Sequence, residues 1–159
     1  MPGERARPRG SLRMVDVSAK RATMREAVAE GAIRMSPEAL CAIAEGRLPK
    51  GDVLPAAETA GVLAAKRTAH LLPLCHPVSF SAAAVEATCD PHLPGVRVRT
   101  SVRGRASTGF EMEALVAASV ALLTVYDMAK ALDPEMVIGE IAVQSKWGGK
   151  SGKWARGAR

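Results

Sequence analysis

Between Ala22 and Met35 apolar and charged positions interleave without a settled helical period: Met24, Val28 and Ala32 alternate with Arg25 and small residues, and the segment reads as a strand. Ser36 followed by Pro37 marks a helix start. Serine can cap the first N–H groups, proline suits the first helical position, and Glu38 complements the positive dipole end. That helix is expected to run to about Glu45, where Gly46 ends it. After the loop from Arg47 to Gly51, Asp52 is placed to cap a second helix, whose apolar face is Val53, Ala57, Ala60, Leu63 and Ala64 and whose far end lies near Lys66.

Pro73 and Pro77 bracket Leu74-Cys75-His76, and each proline disfavours helical geometry in the residue before it, so these side chains are presented from a loop. From Phe80 to Thr88 and from Val96 to Arg103 the alternation has period two around a turn at Asp90 to Gly95, which predicts a hairpin. Val96, Val98, Thr100 and Val102 should face one side and Arg97, Arg99, Ser101 and Arg103 the other. A long Ala-, Leu- and Val-rich helix from about Glu111 to Leu132 and a strand from Val137 to Val143 complete the chain. Strand, two helices, two strands, helix and strand, with no internal repeat, fit an α+β sandwich of ferredoxin-like type, an antiparallel sheet with helices on one face.

The chain has 159 residues, enough for one substantial core. We expect a disordered basic arm at 1–13, a single catalytic α+β domain at 14–147 and a flexible Gly-, Lys- and Arg-rich tail at 148–159. The net charge of +6 is concentrated at the ends: the first thirteen residues carry +3 and residues 146–159 carry +5, so the body between them is slightly acidic. That distribution, with 3% aromatic residues, argues against a basic face tracking a phosphate backbone or stacking on bases, and no nucleic-acid partner is expected. Glu111 and Glu113 interrupt the longest apolar run, so no membrane span is expected, and the basic N-terminus lacks an apolar export segment. Cys41, Cys75 and Cys89 form no C-x-x-C pair, and His70, His76 and His92 lack metal-ligand spacing. Reduced thiols in a cytoplasmic protein, with no metal and no cofactor, are the expectation.

Three places carry candidate chemistry. His76 between two prolines would lose little further entropy on binding a ligand, although it can equally cap a neighbouring carbonyl, and the segment alone does not separate these roles. Glu111 and Glu113 both complement a helix dipole, but residues two apart point to different faces, so one should turn toward protein or ligand. Asp127 and Lys130 are helical neighbours: either a surface ion pair or, if partly buried on an Ala-rich helix, a pair tuned for proton transfer. On one helix Glu113 and Asp127 are about 21 Å apart at 1.5 Å per residue. Either the substrate is long, or the helix begins after Glu113, or a second subunit completes the site. Gly149-Lys150-Ser151 superficially resembles a P-loop end, but Gln144 stands where that motif needs glycine and no helix follows; Lys146 and Lys150 in the glycine-rich tail could still close over a phosphate.

Met14-Val-Asp-Val-Ser-Ala-Lys20, Lys50-Gly-Asp-Val-Leu54, Ala64-Ala-Lys66, Leu71-Leu-Pro-Leu-Cys-His-Pro77, Thr108-Gly-Phe-Glu-Met-Glu-Ala-Leu115, Tyr126-Asp-Met128, Lys130 and Gly148-Gly-Lys-Ser-Gly152 together resemble the MoaC family. The likeness spans roughly residues 14 to 152. Its departures are Phe110 and Val116 in place of the usual Val and Thr, Glu58 where a basic or amide residue is usual, and Trp147 in the tail. The resemblance implies a lyase of molybdenum-cofactor biosynthesis. Its small-molecule substrate would be the GTP-derived 3′,8-cyclo-7,8-dihydroguanosine triphosphate, and its products cyclic pyranopterin monophosphate and pyrophosphate. It further implies proton transfer by Asp127 and Lys130. Lys50 and Lys66 would meet phosphates or ring oxygens, with Lys50 in the catalytic set. Leu74, Cys75, His76, Met112 and Glu113 would hold the purine-derived ring, with Glu111 in support. By the same likeness the sites lie between subunits of a homohexamer built from dimers. A small RNA-binding protein is the rival reading, supported only by the arginine-rich ends. A zinc-dependent pterin-forming cyclohydrolase lacks its ligand pattern here.

Overall fold

The computed structural model describes residues 10–150 and 152–157. Most of the expected N-terminal arm, Ser151 of the glycine-rich motif and the last two residues lie outside them. The elements run β1 (Thr23–Arg34), α1 (Pro37–Ala44), α2 (Val53–Ala65), α3 (Thr68–Leu71), β2 (Ala82–Asp90), β3 (Gly95–Ala106), α4 (Glu111–Ala129), β4 (Val137–Trp147) and β5 (Trp154–Ala155). Every neighbouring pair is antiparallel, in the order β2-β3-β1-β4-β5. The first four strands have the ferredoxin-like arrangement expected from the element order, with β1 central. Two elements were not anticipated: the single turn α3, and β5, in which Trp154 and Ala155 pair with Lys146 and Ser145.

Local chemistry accounts for most boundaries. The Ser36 hydroxyl accepts the Ala39 N–H at 3.2 Å and Pro37 opens α1, while Gly46 leaves the helix at φ +65°. Asp52 does precede α2, but its side chain makes no capping hydrogen bond, contrary to expectation. Glu58 on α2 accepts the backbone N–H of Ala87 at 3.0 Å, which ties the helix to strand β2 at the sheet edge.

In β3, Val96, Val98, Thr100 and Val102 are buried under the helices, as the alternation predicts. The opposite face carries cross-strand ion pairs, including Arg99 with Glu30 and Arg97 with Asp90. Helix α4 is long and apolar enough to cross a membrane, because Glu111 and Glu113 sit at its first turn rather than interrupting it. Its buried face is nonetheless the protein core: Ala114, Ala117, Ala118, Ala121, Leu122, Val125 and Ala129 pack on the sheet and α2. Gly31 in β1 lets this approach happen, since a Cβ there would sit 2.8 Å from the Leu122 side chain and 2.9 Å from Ile141.

Candidate active site

The N-terminal end of α4 is fixed by Phe110, which is fully buried and meets Phe80 edge-on with ring centroids 6.4 Å apart. This anchor sets the helix start against the Pro73–Pro77 loop. Between them lies a cleft of about 310 Å³, lined by Leu74, Cys75, His76, Val78, Thr108, Gly109, Glu111, Met112 and Glu113. All the residues expected to hold a ring are therefore brought together. Glu113 is only 3% exposed, and its Oε2 has no hydrogen-bond partner. Burial pushes its carboxyl above the ordinary range, and the charge of Glu111 adds to this, against its own backbone N–H. The two glutamates thus differ as two positions on a helix should. Glu111 pairs with Lys146 at 2.7 Å; burial opposes its ionisation, but the hydrogen bonds from Lys146 and its own N–H, with the charges of Lys146 and Arg25, outweigh that and hold it low. Burial also raises the Cys75 thiol, with a further contribution from Glu113, so Cys75 suits packing better than nucleophilic attack.

Through Thr108 this cleft adjoins a larger cavity of about 700 Å³, lined by Ala19, Lys20, Arg21, Thr23, Arg25, Ser107, Thr108, Gly149 and Lys150. Four cations and three hydroxyls suit a polyanionic ligand. Arg25 is oriented by the carbonyls of Ala106 and Ser107 at 3.0 and 3.3 Å. Gly148 and Gly149, at φ +101° and +69°, lay the chain over it: a Cβ at Gly149 would lie 2.5 Å from the guanidinium, so glycine brings Lys150 to this wall. Sequence reasoning did not assign Lys20, Arg21, Thr23 or Arg25 to the site. The signal available for Lys20 was its place at the end of the Met14–Lys20 motif, whereas Arg25 looked like an ordinary strand position. Among the described residues, the buried side-chain polar atoms without partners are Thr23 Oγ1 and Glu113 Oε2, and the residues that bear them line the two cavities, Thr23 the cationic one and Glu113 the cleft.

At the other end of α4, Asp127 takes Lys50 on Oδ2 at 2.6 Å and Lys130 on Oδ1 at 2.8 Å. Lys50 also reaches the Asp127 carbonyl at 3.3 Å, so residues 77 apart join one cluster. The sequence reading paired Asp127 with Lys130 but did not foresee Lys50 as a direct partner. Nor is the cluster partly buried in the single chain: the Asp127 side chain is 54% exposed. Hydrogen bonds from Lys130 and Lys50, then their charges, lower its pKa to about 2, and Asp127 raises that of Lys130. Lys66 caps the C-terminal end of α2, is exposed, and lines neither cavity. Because α4 is continuous from Glu111 to Ala129, it does not start after Glu113, and one chain holds the two clusters about 21 Å apart.

A ferredoxin-like α+β sheet thus carries an acidic cleft, an adjoining cationic cavity suited to an anionic small molecule, and a Lys-Asp-Lys cluster. Residues 14–149 match the model of the MoaC family, and the chain belongs to that family. Curated relatives from Brucella ovis and Brucella melitensis are 58% identical over 146 residues, covering 92% of this chain and 88% of theirs; one from Brucella canis is 57% identical over the same span. Each bears the name cyclic pyranopterin monophosphate synthase.

Proposed function

We propose that this chain is a lyase of molybdenum-cofactor biosynthesis that converts 3′,8-cyclo-7,8-dihydro-GTP to cyclic pyranopterin monophosphate and pyrophosphate. The observation that carries the reading in the structure is two adjoining cavities of different character, one lined by Glu113 and the other by Thr23, residues that each bear a buried polar atom without a partner. A ring bearing N–H groups would satisfy Glu113 in the small cleft, where Leu74, Cys75, His76 and Met112 form the walls and Glu111 supports through Lys146. The triphosphate would lie among Lys20, Arg21, Arg25 and Lys150. There, fixed cations stabilise the charge that shifts onto pyrophosphate as its bond to the innermost phosphorus breaks and a sugar-derived oxygen bonds to that phosphorus.

Ring rearrangement also needs groups that give and take protons. Asp127 is ionised and holds two ammonium groups in place; it raises Lys130, which keeps that lysine protonated but a weak acid, so the cluster orients a proton donor that becomes effective only when a covering surface removes water from it. It stands too far from Glu113 to meet the same ring in one chain. In this reading Lys50, Asp127 and Lys130 of one subunit lie over the cleft of another, in a homohexamer built from dimers. Lys66 joins the phosphate or ring-oxygen contacts only from such a neighbour. The reaction is placed in the cytoplasm. Incubating the purified protein with enzymatically prepared cyclic dihydro-GTP and following pyranopterin and pyrophosphate by mass spectrometry tests the reading. Product is expected, and none from a folded oligomer with intact substrate overturns it.

A further inference from the structure

The Met14–Lys20 segment touches both cavities. Val15 offers its carbonyl to His76 Nε2 at 2.7 Å, in the small cleft, while Ala19, Lys20 and Arg21 line the cationic cavity. Between these contacts the chain is tightly turned, with the Asp16 carboxylate accepting the Ser18 N–H at 2.9 Å and the Val17 carbonyl accepting the Lys20 N–H at 3.0 Å. The two contacts are thus joined by a short, locally hydrogen-bonded stretch of chain. A carbonyl can only accept, so the His76 hydrogen lies on Nε2, and in the neutral ring Nδ1 then carries the lone pair. His76 also sits between residues of a proline-bracketed loop, so its backbone has little freedom to readjust.

We infer that residues 14–21 act as a strap that couples the two cavities. Polyphosphate in the cationic cavity settles Lys20 and Arg21, this holds the Val15 carbonyl on His76, and the fixed tautomer leaves Nδ1 as the acceptor for an N–H or O–H of the bound ring. His76 is then a substrate-contacting acceptor and Val15 its positioning group. The inference deepens the proposed reaction and rests on it for the ring, but the phosphate half stands by itself.

Two substitutions separate the roles. A glutamine amide reaches about as far as Nε2 and can keep the Val15 contact while losing the Nδ1 acceptor; an asparagine amide reaches about as far as Nδ1 and can keep an acceptor while losing Val15. Hydrogen exchange of the full chain, with and without inorganic pyrophosphate, is measured on wild type, His76→Gln and His76→Asn, together with turnover. Pyrophosphate is expected to slow exchange in residues 14–21 of wild type and His76→Gln but not of His76→Asn. Loss of one hydrogen bond corresponds to a change of roughly tenfold: His76→Gln should lose it in kcat with KM little changed, and His76→Asn should show it mainly as a rise in KM. Unchanged exchange in wild type, protection of His76→Asn like that of wild type, or identical kinetic effects of the two substitutions overturns the strap. If wild type does not turn over substrate, the proposed reaction fails, and the exchange data still decide the coupling.

Discussion

The two ends of α4 carry acidic residues fourteen positions apart under opposite conditions. At the N-terminal end Glu113 is buried, lacks a partner on Oε2 and is pushed toward its neutral form. At the C-terminal end Asp127 is exposed, bonded to two lysines and held ionised to about pH 2. The first end keeps a buried carboxyl oxygen without a protein partner, which costs stability. The second is already satisfied, and water screens its charges. Its proton-transfer properties change only when something covers it. A neighbouring subunit that did so would remove water from the lysines.

Disabling the wet end gives the largest expected effect. Lys50→Ala and Asp127→Asn should lower kcat about 10²-fold or more, the range for removing a proton-transfer group, while gel filtration and thermal melts show an unchanged assembly and fold. Loss of assembly instead would make these residues structural. Arg25→Met should come next, raising KM for the triphosphate substrate roughly tenfold to a hundredfold, because it deletes a charge-assisted contact and leaves the Ala106 and Ser107 carbonyls unpaired; steady-state kinetics at fixed salt would show it. Gly149→Ala should cost about 1–2 kcal/mol in denaturant unfolding, since it strains a residue at φ +69° and crowds Arg25.

The smallest effects sharpen the contrast between the two carboxyls through pH. Glu113 has a raised folded pKa, so the folded state binds more protons than the unfolded state just above pH 4.5, and stability falls as pH rises from there through the raised value. Glu113→Gln should therefore stabilise the apo protein by about 1 kcal/mol near pH 8, with the gain shrinking toward pH 4.5, while weakening substrate binding. Asp127 has the opposite sign. Its stabilisation is present above 3.8 and lost as pH falls toward 2, so Asp127→Asn should lower the melting temperature slightly at neutral pH, by the little that exposed ion pairs contribute, with the deficit vanishing as pH falls toward 2.

Much of this contrast was legible in the sequence where local rules act. Period two separated Val96, Val98, Thr100 and Val102 from the arginines between them, and Ser36-Pro37 marked the start of α1. The spacing of Glu111 and Glu113 signalled that one of them turns inward, and Glu113 does. Long-range placements were not legible. Nothing local reveals that Lys50 reaches Asp127, that the Arg25 side chain lines a cavity with Lys20 and Arg21, or that Trp154 returns to pair with Lys146. The family motifs did include Lys20 and Lys50, but motif membership alone says nothing about which cavity a side chain serves. Asp52, which has the right residue type at a helix start, makes no cap bond, so type and position are weaker than geometry.

The central claim, that one site joins the two ends of α4 from different subunits, is tested most directly by complementation. Purified Glu113→Ala and Lys50→Ala proteins, each inactive alone, are dissociated, mixed and reassembled, and product is measured by mass spectrometry. If sites are shared, random mixing restores roughly a quarter of the wild-type sites, because each site needs one intact end from each of two chains. A mixed oligomer that forms but stays inactive, while wild type treated in the same way regains full turnover, would contradict the account.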